Sequence, residues 1–156
     1  HGPLLTDGEF HNLGVPAPPG TTGADLGRAM GAAQVKADPF RCGGPYSPDR
    51  SCDELRFLNP RFEDFMGAFR TPSLRNVART APYMHAGQFA TLPEVLAFYT
   101  ALPGRAQVGH RELLLDRVDR DLPIGDLVAF LDSLTGPLPA ERWLHPLPPP
   151  SDAAFR

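Results

Sequence analysis

The sequence predicts one all-α domain with short helices and long loops. Two segments, residues 91–99 and 121–136, carry apolar residues at helical spacing together with end signals. The 19 prolines and 15 glycines are about one residue in five, which predicts that much of the remaining chain is irregular. No stretch alternates apolar and polar residues for long enough to indicate a sheet.

Length, charge and hydropathy exclude several classes of protein. A chain of 156 residues is long enough for one domain with a core and short for two domains of ordinary size. The formal net charge of −3 argues against nucleic-acid binding. No apolar run approaches the roughly 20 residues of a membrane span. The chain opens without a basic and apolar leader, in what resembles the middle of a motif, so we expect a fragment of a longer protein.

The first half of the chain is predicted to contain little regular structure. Residues 1–19 are interrupted by prolines and have no helical period, so we expect an extended segment that wraps around the core. Residues 23–37 have weak helical character around Leu26 and Met30. Asp25 stands early in this segment, where it favours the helix dipole.

Residues 38–62 form a Pro- and Gly-rich loop that contains Cys42 and Cys52, the two cysteines of the chain. The pair is compatible with a disulfide, with two free thiols or with half of a zinc site. No further cysteine completes a Cys-rich zinc site. In an exported protein the disulfide is favoured, and it would act as a clip on the loop.

The second half is predicted to contain the two clear helices. Thr91 and Glu94 form a capping box, and the apolar face that follows consists of Leu92, Val95, Leu96 and Tyr99. After a short apolar run at 113–115, the segment 121–136 places an apolar stripe on one helical face. Gly136 stands at the expected C-terminal cap. We expect the Pro-rich tail, residues 137–156, to lie on the surface or against a partner domain.

Two motifs resemble a known family. Residues 69–87, FRTPSLRNVARTAPYMHAG, resemble the run F-R/K-T/V-P-x-L-R-N-V-A-x-T-A-P-Y-x-H-x-G in the C-terminal haem domain of bacterial di-haem cytochrome c peroxidases and MauG. The N-terminal residues resemble the stretch G-P-x-x-T-D-x-x-F-H-N-x-G-V, which follows the haem-attachment motif C-x-x-C-H in that family. The resemblance covers residues 1–15 and 67–136. The attachment cysteines are absent from this chain, so the chain alone cannot tether a haem.

The resemblance implies a class I cytochrome c-like fold for residues 1–136. It also implies a periplasmic enzyme with two c-type haems, one of them in this domain, and a calcium ion between the domains. Hydrogen peroxide would be cleaved at the haem of the N-terminal domain. The oxidised partner would be a small cytochrome or cupredoxin, or a tryptophan or tyrosine side chain of a protein oxidised at a distance, as in MauG.

Tyr99 is the position that separates the branches of this family. Family members that use methionine on the electron-transfer haem have it fourteen residues after the histidine that His85 matches, whereas MauG-type members have tyrosine there. Met30, Met66 and Met84 do not fit this position. Phenolate is a hard donor that favours ferric and higher states of iron, so the resemblance favours the MauG-like branch. Without the resemblance, Tyr99 reads as an ordinary buried tyrosine.

The histidines receive different roles. The resemblance favours His85 as a hydrogen-bonding residue near the haem that holds the turn at 82–87, over His85 as an iron ligand. His11 is expected to pack close to the haem without binding the metal. His1 is either the iron ligand of the attachment motif or, as we favour, the residue after it. His110 and His145 stand in polar or Pro-rich sequence and are expected to be exposed.

The remaining cofactor-binding expectations also follow from the resemblance. Phe10, Pro82 and Leu96 are expected beside the haem. Arg75 is expected to pair with a haem propionate or to lie at the domain interface, the alternative being a surface arginine. The backbone carbonyls of Thr80 and Pro82 match positions that bind calcium, which prefers oxygen ligands.

The sequence contains no Ser/His/Asp order, Gly-rich phosphate loop or H-E-x-x-H pattern. The carboxylates Asp7, Glu9, Asp53 and Glu54 are scattered in loops, and we assign no acid–base role to them. Two alternatives to the peroxidase remain open. One is a mono-haem electron-transfer domain, which a single upstream C-x-x-C-H motif would support. The other is a haem-free structural relic, which predicts no Soret absorbance in the full-length protein.

Overall fold

A computed structural model describes residues 2–48, 53–58, 62–102, 105–137 and 140. Within these ranges the chain forms three α-helices and a two-stranded sheet. The helices are α1 (Arg28–Ala37), α2 (Leu92–Ala101) and α3 (Ile124–Ser133), and the strands are β1 (Phe10–His11) and β2 (Phe69–Arg70). Short 3-10 segments lie at Glu54–Phe57, Phe62–Phe65, Val77–Arg79 and Leu113–Arg117. The prediction of a cytochrome c-like fold is not decided by these elements and stays a prediction.

The small sheet joins the N-terminal segment to the middle of the chain. β1 and β2 are antiparallel, with Phe10 opposite Arg70 and His11 opposite Phe69. Side-chain hydrogen bonds continue the contact, from Thr6 Oγ1 to the Thr71 carbonyl (2.7 Å) and from Ser73 Oγ to the Leu4 carbonyl (2.7 Å). The sequence does not predict this sheet, because two-residue strands are too short to show an alternating pattern.

Asn12 ties three segments together through one buried side chain. Its Nδ2 donates hydrogen bonds to the carbonyls of Met66 (3.0 Å) and Val108 (2.7 Å). Its Oδ1 accepts from the backbone N–H of Gly14 (3.0 Å). All three polar positions of the amide are therefore used inside the protein, as a buried amide requires.

Helix α1 starts five residues later than the predicted segment 23–37. Gly27 has φ = 54°, and a Cβ at this position would lie 2.4 Å from the carbonyl oxygen of Ala68. The next residue, Arg28, donates its backbone N–H to the same carbonyl (2.8 Å). This close approach requires glycine and sets the helix start. Asp25 lies before the first turn, where its Oδ1 accepts from the N–H of Gly27 (2.8 Å).

Helix α2 begins with the predicted capping box, which the structure confirms. Thr91 Oγ1 accepts from the N–H of Glu94, and Glu94 Oε2 accepts from the N–H of Thr91 (3.2 Å). The two interactions satisfy N–H groups that have no partner within the helix. Leu92 and Leu96 are buried, and α2 packs against α3.

Helix α3 ends before Gly136, so the predicted cap at this glycine is wrong. Leu134 is the C-cap residue. Asn76, which has a left-handed φ of 59°, donates its N–H to the Leu134 carbonyl (3.1 Å). Its side-chain Oδ1 accepts from the N–H of Gly136 (2.7 Å). A tertiary contact therefore satisfies the end of α3 in place of a local glycine cap.

The apolar core of the described residues is small. Its buried members are Ala29, Phe65, Ala68, Leu92, Leu96, Leu102 and Leu115. Large apolar side chains such as Phe40, Phe57 and Leu113 are exposed. In the part of the chain that is described, every helix is too short or too polar to cross a membrane.

Several predictions concern residues outside the described ranges. His1, Cys52, His145 and the tail beyond residue 140 fall there. The Cys42–Cys52 disulfide, the role of His1 and the position of the tail therefore stay predictions.

Candidate functional site

Tyr99 lies in the last turns of α2, where its side chain is half-buried. Its ring meets the ring of Phe98 edge to face, with centroids 5.7 Å apart. Its hydroxyl forms no hydrogen bond to any described residue. Burial raises the pKa of the phenol, so the group is neutral at neutral pH in this environment. The hydroxyl oxygen is not among the buried polar atoms without a partner, so it is accessible to an atom from outside the described chain.

This arrangement fits the haem iron that the family resemblance implies. A phenol oxygen is a known axial ligand of haem, and a nearby metal cation lowers the pKa of a coordinating group enough to ionise it. Leu96 stands three residues before Tyr99 on the same side of α2 and is buried. The donor and its apolar neighbour are thus held on one rigid, capped helix.

His85 lies in the turn before α2 and stacks on an aromatic ring. The rings of His85 and Phe69 are 3.6 Å apart between centroids and nearly parallel, at 6°. Gln88 Nε2 lies 3.2 Å from His85 Nε2. Partial burial lowers the pKa of His85, an effect that the negative charge of Asp25 opposes. His85 is therefore hydrogen-bonded to an amide, and its role beside the haem stays a prediction.

The turn that carries His85 is joined both to α2 and to the N-terminal segment. Tyr83 and Phe89 form an antiparallel bridge, and the ring of Phe89 contacts the ring of Phe98 (centroids 5.4 Å apart). Gln88 Nε2 also donates to the Pro16 carbonyl (3.1 Å). The structure therefore connects His85 through Phe69 to β1 and through Phe89 and Phe98 to the helix of Tyr99.

His11 is held between two carboxylates. Its Nδ1 lies 2.8 Å from Glu112 Oε2, and its Nε2 lies 3.1 Å from Asp7 Oδ2. The hydrogen bond with Glu112 raises the pKa of His11, and the one with Asp7 adds to this effect. Both ring nitrogens are thus hydrogen-bonded to carboxylates, and the expected position of His11 beside the haem stays a prediction. Glu112 was missed in the sequence because 101 residues separate it from His11.

The ring of Phe10 contacts the guanidinium group of Arg28. The guanidinium of Arg28 lies between two rings, 4.2 Å from the centroid of Phe10 and 4.1 Å from that of Phe65. These distances are those of cation–π contacts. A surface depression of about 350 Å³ lies beside these contacts. The residues that line it include Phe10, Arg28, Phe69 and Arg70.

Arg75 and Arg111 differ in the exposure of their side chains and in the hydrogen bonds that these side chains form. Arg75 is exposed, and its one hydrogen bond in the described structure is from its backbone N–H to Ser73 Oγ (3.3 Å). The side chain of Arg111 is 15% exposed, and its Nη2 is bonded to Asp116. Its Nη1 is buried and has no partner among the described residues. The sequence does not point to Arg111, because an arginine in a polar linker has no local pattern that predicts its burial.

The two residues expected at the calcium site lie together on the surface. Thr80 and Pro82 are exposed, and neither carbonyl accepts a hydrogen bond from the described residues. Free carbonyl oxygens suit Ca²⁺. Elsewhere in the described ranges, no three His, Cys, Asp or Glu side chains are grouped so as to hold a metal ion. His110 is exposed, as predicted.

Comparison with characterised proteins gives a consistent group of relatives. The chain is 36% identical over 142 residues to cytochrome-c peroxidase IdrP1 of Denitromonas iodatirespirans, an alignment that covers 86% of this chain and 35% of that protein. It is 32% identical over 171 residues to the methylamine utilization protein MauG of Paracoccus denitrificans, covering 96% of this chain and 38% of MauG. It is 40% identical over 116 residues to cytochrome c551 peroxidase of Pseudomonas aeruginosa, covering 72% and 30%.

A solved structure of a MauG-like protein associated with microbial copper homeostasis also matches. It is 32% identical, with a TM-score of 0.44, and the match covers 86% of this chain and 36% of that one. No protein-family model matches the chain. The chain spans about a third of the length of the curated relatives it matches. On the sequence relatives, the chain belongs to the bacterial cytochrome c peroxidase and MauG family of oxidoreductases.

Proposed function

We propose that the chain is the C-terminal haem domain of a periplasmic di-haem oxidoreductase that uses hydrogen peroxide to oxidise a protein partner. The domain would have a class I cytochrome c-like fold and contain one c-type haem, with Tyr99 as its distal axial ligand. The observation that carries the proposal is the accessible hydroxyl of the half-buried Tyr99 side chain on α2. It has no hydrogen-bond partner in the described structure and stands fourteen residues after His85.

The oxygen donor favours the MauG-like branch of the family. Bound haem would supply the redox chemistry, and the chain would determine which oxidation states are stable. An anionic phenolate stabilises ferric and higher states, whereas the thioether of methionine favours ferrous iron and raises the potential. A domain with Tyr99 would therefore hold oxidising equivalents for a protein side chain better than it would relay electrons from a high-potential donor.

The described residues around Tyr99 hold its ring in place, and none of them promotes ionisation of its hydroxyl group. The capping box fixes the first turn of α2, and Phe98 packs against the phenol ring. No described residue accepts a hydrogen bond from the phenol, so solvent would be the acceptor of its proton if the oxygen held the haem. Thr80 and Pro82 would provide two carbonyl ligands of a calcium ion at the border with the N-terminal domain.

Substitution of Tyr99 by phenylalanine tests the proposal directly in the full-length, haem-loaded protein. We expect the ferric haem of this domain to change from low spin to high spin in optical and EPR spectra, because the ring remains and the oxygen is lost. Tyr46→Phe is the matched control, since Tyr46 is 70% exposed and stacks only on Phe40 in the described structure. A Tyr99→Phe spectrum identical to that of the wild type removes Tyr99 as a ligand.

Tyr99→Met tests the assignment of branch. A sulfur donor should keep this haem low spin and raise its reduction potential, for the reason given above. The variant should also oxidise a small reduced cytochrome with peroxide faster than the wild type does. A potential equal to that of the wild type would show that residue 99 does not determine the properties of the iron.

A further inference from the structure

Arg111 has one donor that the described chain does not satisfy. Its side chain is 15% exposed, Nη2 pairs with Asp116, and Nη1 is buried without a partner among the described residues. A buried N–H group without an acceptor costs about 1–3 kcal/mol, and more when the group is charged. An acceptor from outside the described chain would remove this cost.

The guanidinium of Arg111 is paired with Asp116, and the backbone on both sides of Arg111 is held by contacts with other parts of the chain. The next residue, Glu112, donates its N–H to the Asn12 carbonyl (2.8 Å) and bonds His11 through its side chain (2.8 Å). At Gly109 a Cβ would lie 2.4 Å from the Met66 carbonyl oxygen, so the loop packs closely on this side as well. Arg111 is thus held against the segment that follows the expected haem-attachment motif.

We propose that Nη1 of Arg111 binds a carboxylate, and that this carboxylate is a propionate of the haem in this domain. Guanidinium is the side chain best suited to a buried carboxylate, because its charge is permanent and its donors are planar. This inference rests on the proposed function, which places a haem here. It transfers to Arg111 the role that the sequence suggested for Arg75, whose side chain is exposed.

The test measures the reduction potential of this haem as a function of pH in the full-length protein. Arg111→Met removes a positive charge beside the porphyrin, so the potential should fall. A carboxylate beside an arginine has its pKa lowered by about 1–3 units, so the ionisation step in the potential–pH curve should move up by a similar amount. Arg111→Lys keeps the charge and should retain most of the wild-type potential.

Two controls separate this role from general effects. Arg117→Met removes an exposed arginine at the end of the 3-10 segment that begins two residues after Arg111, and Arg75→Met tests the earlier candidate. Neither should change the curve. Titratable groups close to Arg111 include its ion-pair partner Asp116, the Glu112–His11 pair and the adjacent His110, and the Arg117 control leaves all four unchanged. Far-UV circular dichroism identifies a variant that fails to fold, in which case Arg111→Lys decides.

Three results would overturn the inference. The first is an unchanged potential–pH curve in a folded Arg111→Met protein. The second is a loss of thermal stability with no change in potential, which would indicate an Asp or Glu carboxylate from another part of the protein. The third is a curve that moves in Arg75→Met instead. The proposed function itself would be refuted if the wild-type protein had no low-spin haem that depends on Tyr99. Spectra of the wild type and of Tyr99→Phe show this before any Arg111 variant is made.

Discussion

At the scale of single residues, the side chain of Asn12 forms hydrogen bonds with three backbone groups. Replacing it with alanine would leave the carbonyls of Met66 and Val108 and the N–H of Gly14 without their partners. We expect a loss of about 1–3 kcal/mol in the free energy of unfolding, measured by urea denaturation of the full-length protein. Asn12→Asp should cost more, because it places a carboxylate against two carbonyl oxygens. A loss below about 0.5 kcal/mol for both variants would contradict this account.

His11 makes the stability of the N-terminal segment dependent on pH. Its pKa is raised from the ordinary value of 6.5, chiefly by Glu112, so its contribution is complete below pH 6.5 and is lost as pH rises through the raised value. The pKa values of Asp7 and Glu112 are lowered, so their contributions are present above their ordinary values of 3.8 and 4.5. They are lost as pH falls through the lowered values. The cluster is therefore most stabilising between pH 4.5 and 6.5.

The prediction concerns melting temperature as a function of pH. The wild-type domain should lose stability on the order of 1 kcal/mol above pH 6.5, relative to His11→Gln, whose amide does not titrate. Glu112→Gln should reduce the same pH dependence, because it removes the main cause of the raised pKa. Parallel curves for the wild type and His11→Gln would show that the pair is not charged in the folded state.

The residues of the site divide by how far apart their partners lie in the chain. Tyr99 and His85 could be selected from the sequence because a motif of fixed spacing contains both. Glu112 could not, because its importance comes from its contact with His11, 101 residues away. Arg111 could not either, because the burial of its Nη1 atom is a property of the folded chain. No local pattern records such contacts. Arg75 was selected for a role that its exposure does not favour, since motif position says nothing about burial.

At the scale of elements, the capping box of α2 is the local feature most closely linked to the site. Thr91→Ala should destabilise the domain by about 1 kcal/mol, because it removes an acceptor for an unpaired helix N–H. The start of α2 should fray, and the low-spin fraction of the haem that we propose Tyr99 binds should decrease. Thr91→Ser keeps the hydroxyl and should retain both properties. Equal spectra and stability for all three proteins would separate the cap from the site.

The elements also show where sequence patterns fail. The α2 start was predictable because Thr91 and Glu94 interact with each other across three residues. The start of α1 depends instead on the contact of Gly27 with Ala68, and the end of α3 depends on Asn76, so both boundaries were misplaced. The β1–β2 pair is held by hydrogen bonds between an irregular N-terminal segment and the middle of the chain. Such a segment has no periodic pattern of apolar residues, so its sequence does not predict a strand.

At the scale of the whole molecule, the described residues bury few apolar side chains. Seven form the core, none of the described side chains is fully buried, and Phe40, Phe57 and Leu113 remain exposed. A larger domain buries more of its surface and gains stability from doing so. If haem is the cofactor, its apolar porphyrin contributes to this core as well as to the chemistry, and stability then depends on its attachment.

Loss of haem from this domain alone should therefore lower the melting temperature of the domain by a large amount. In the full-length protein, the two cysteines of the C-x-x-C-H motif expected ahead of Gly2 are changed to alanine. Loss of one large core side chain costs about 2–5 kcal/mol, and loss of the porphyrin should cost at least as much, so we expect a fall of more than about 5 °C in the melting temperature of this domain. The same change in the N-terminal motif should mainly affect the other domain. Melting of this domain at the wild-type temperature without its haem would show that the protein core is sufficient, and the porphyrin would then contribute chemistry alone.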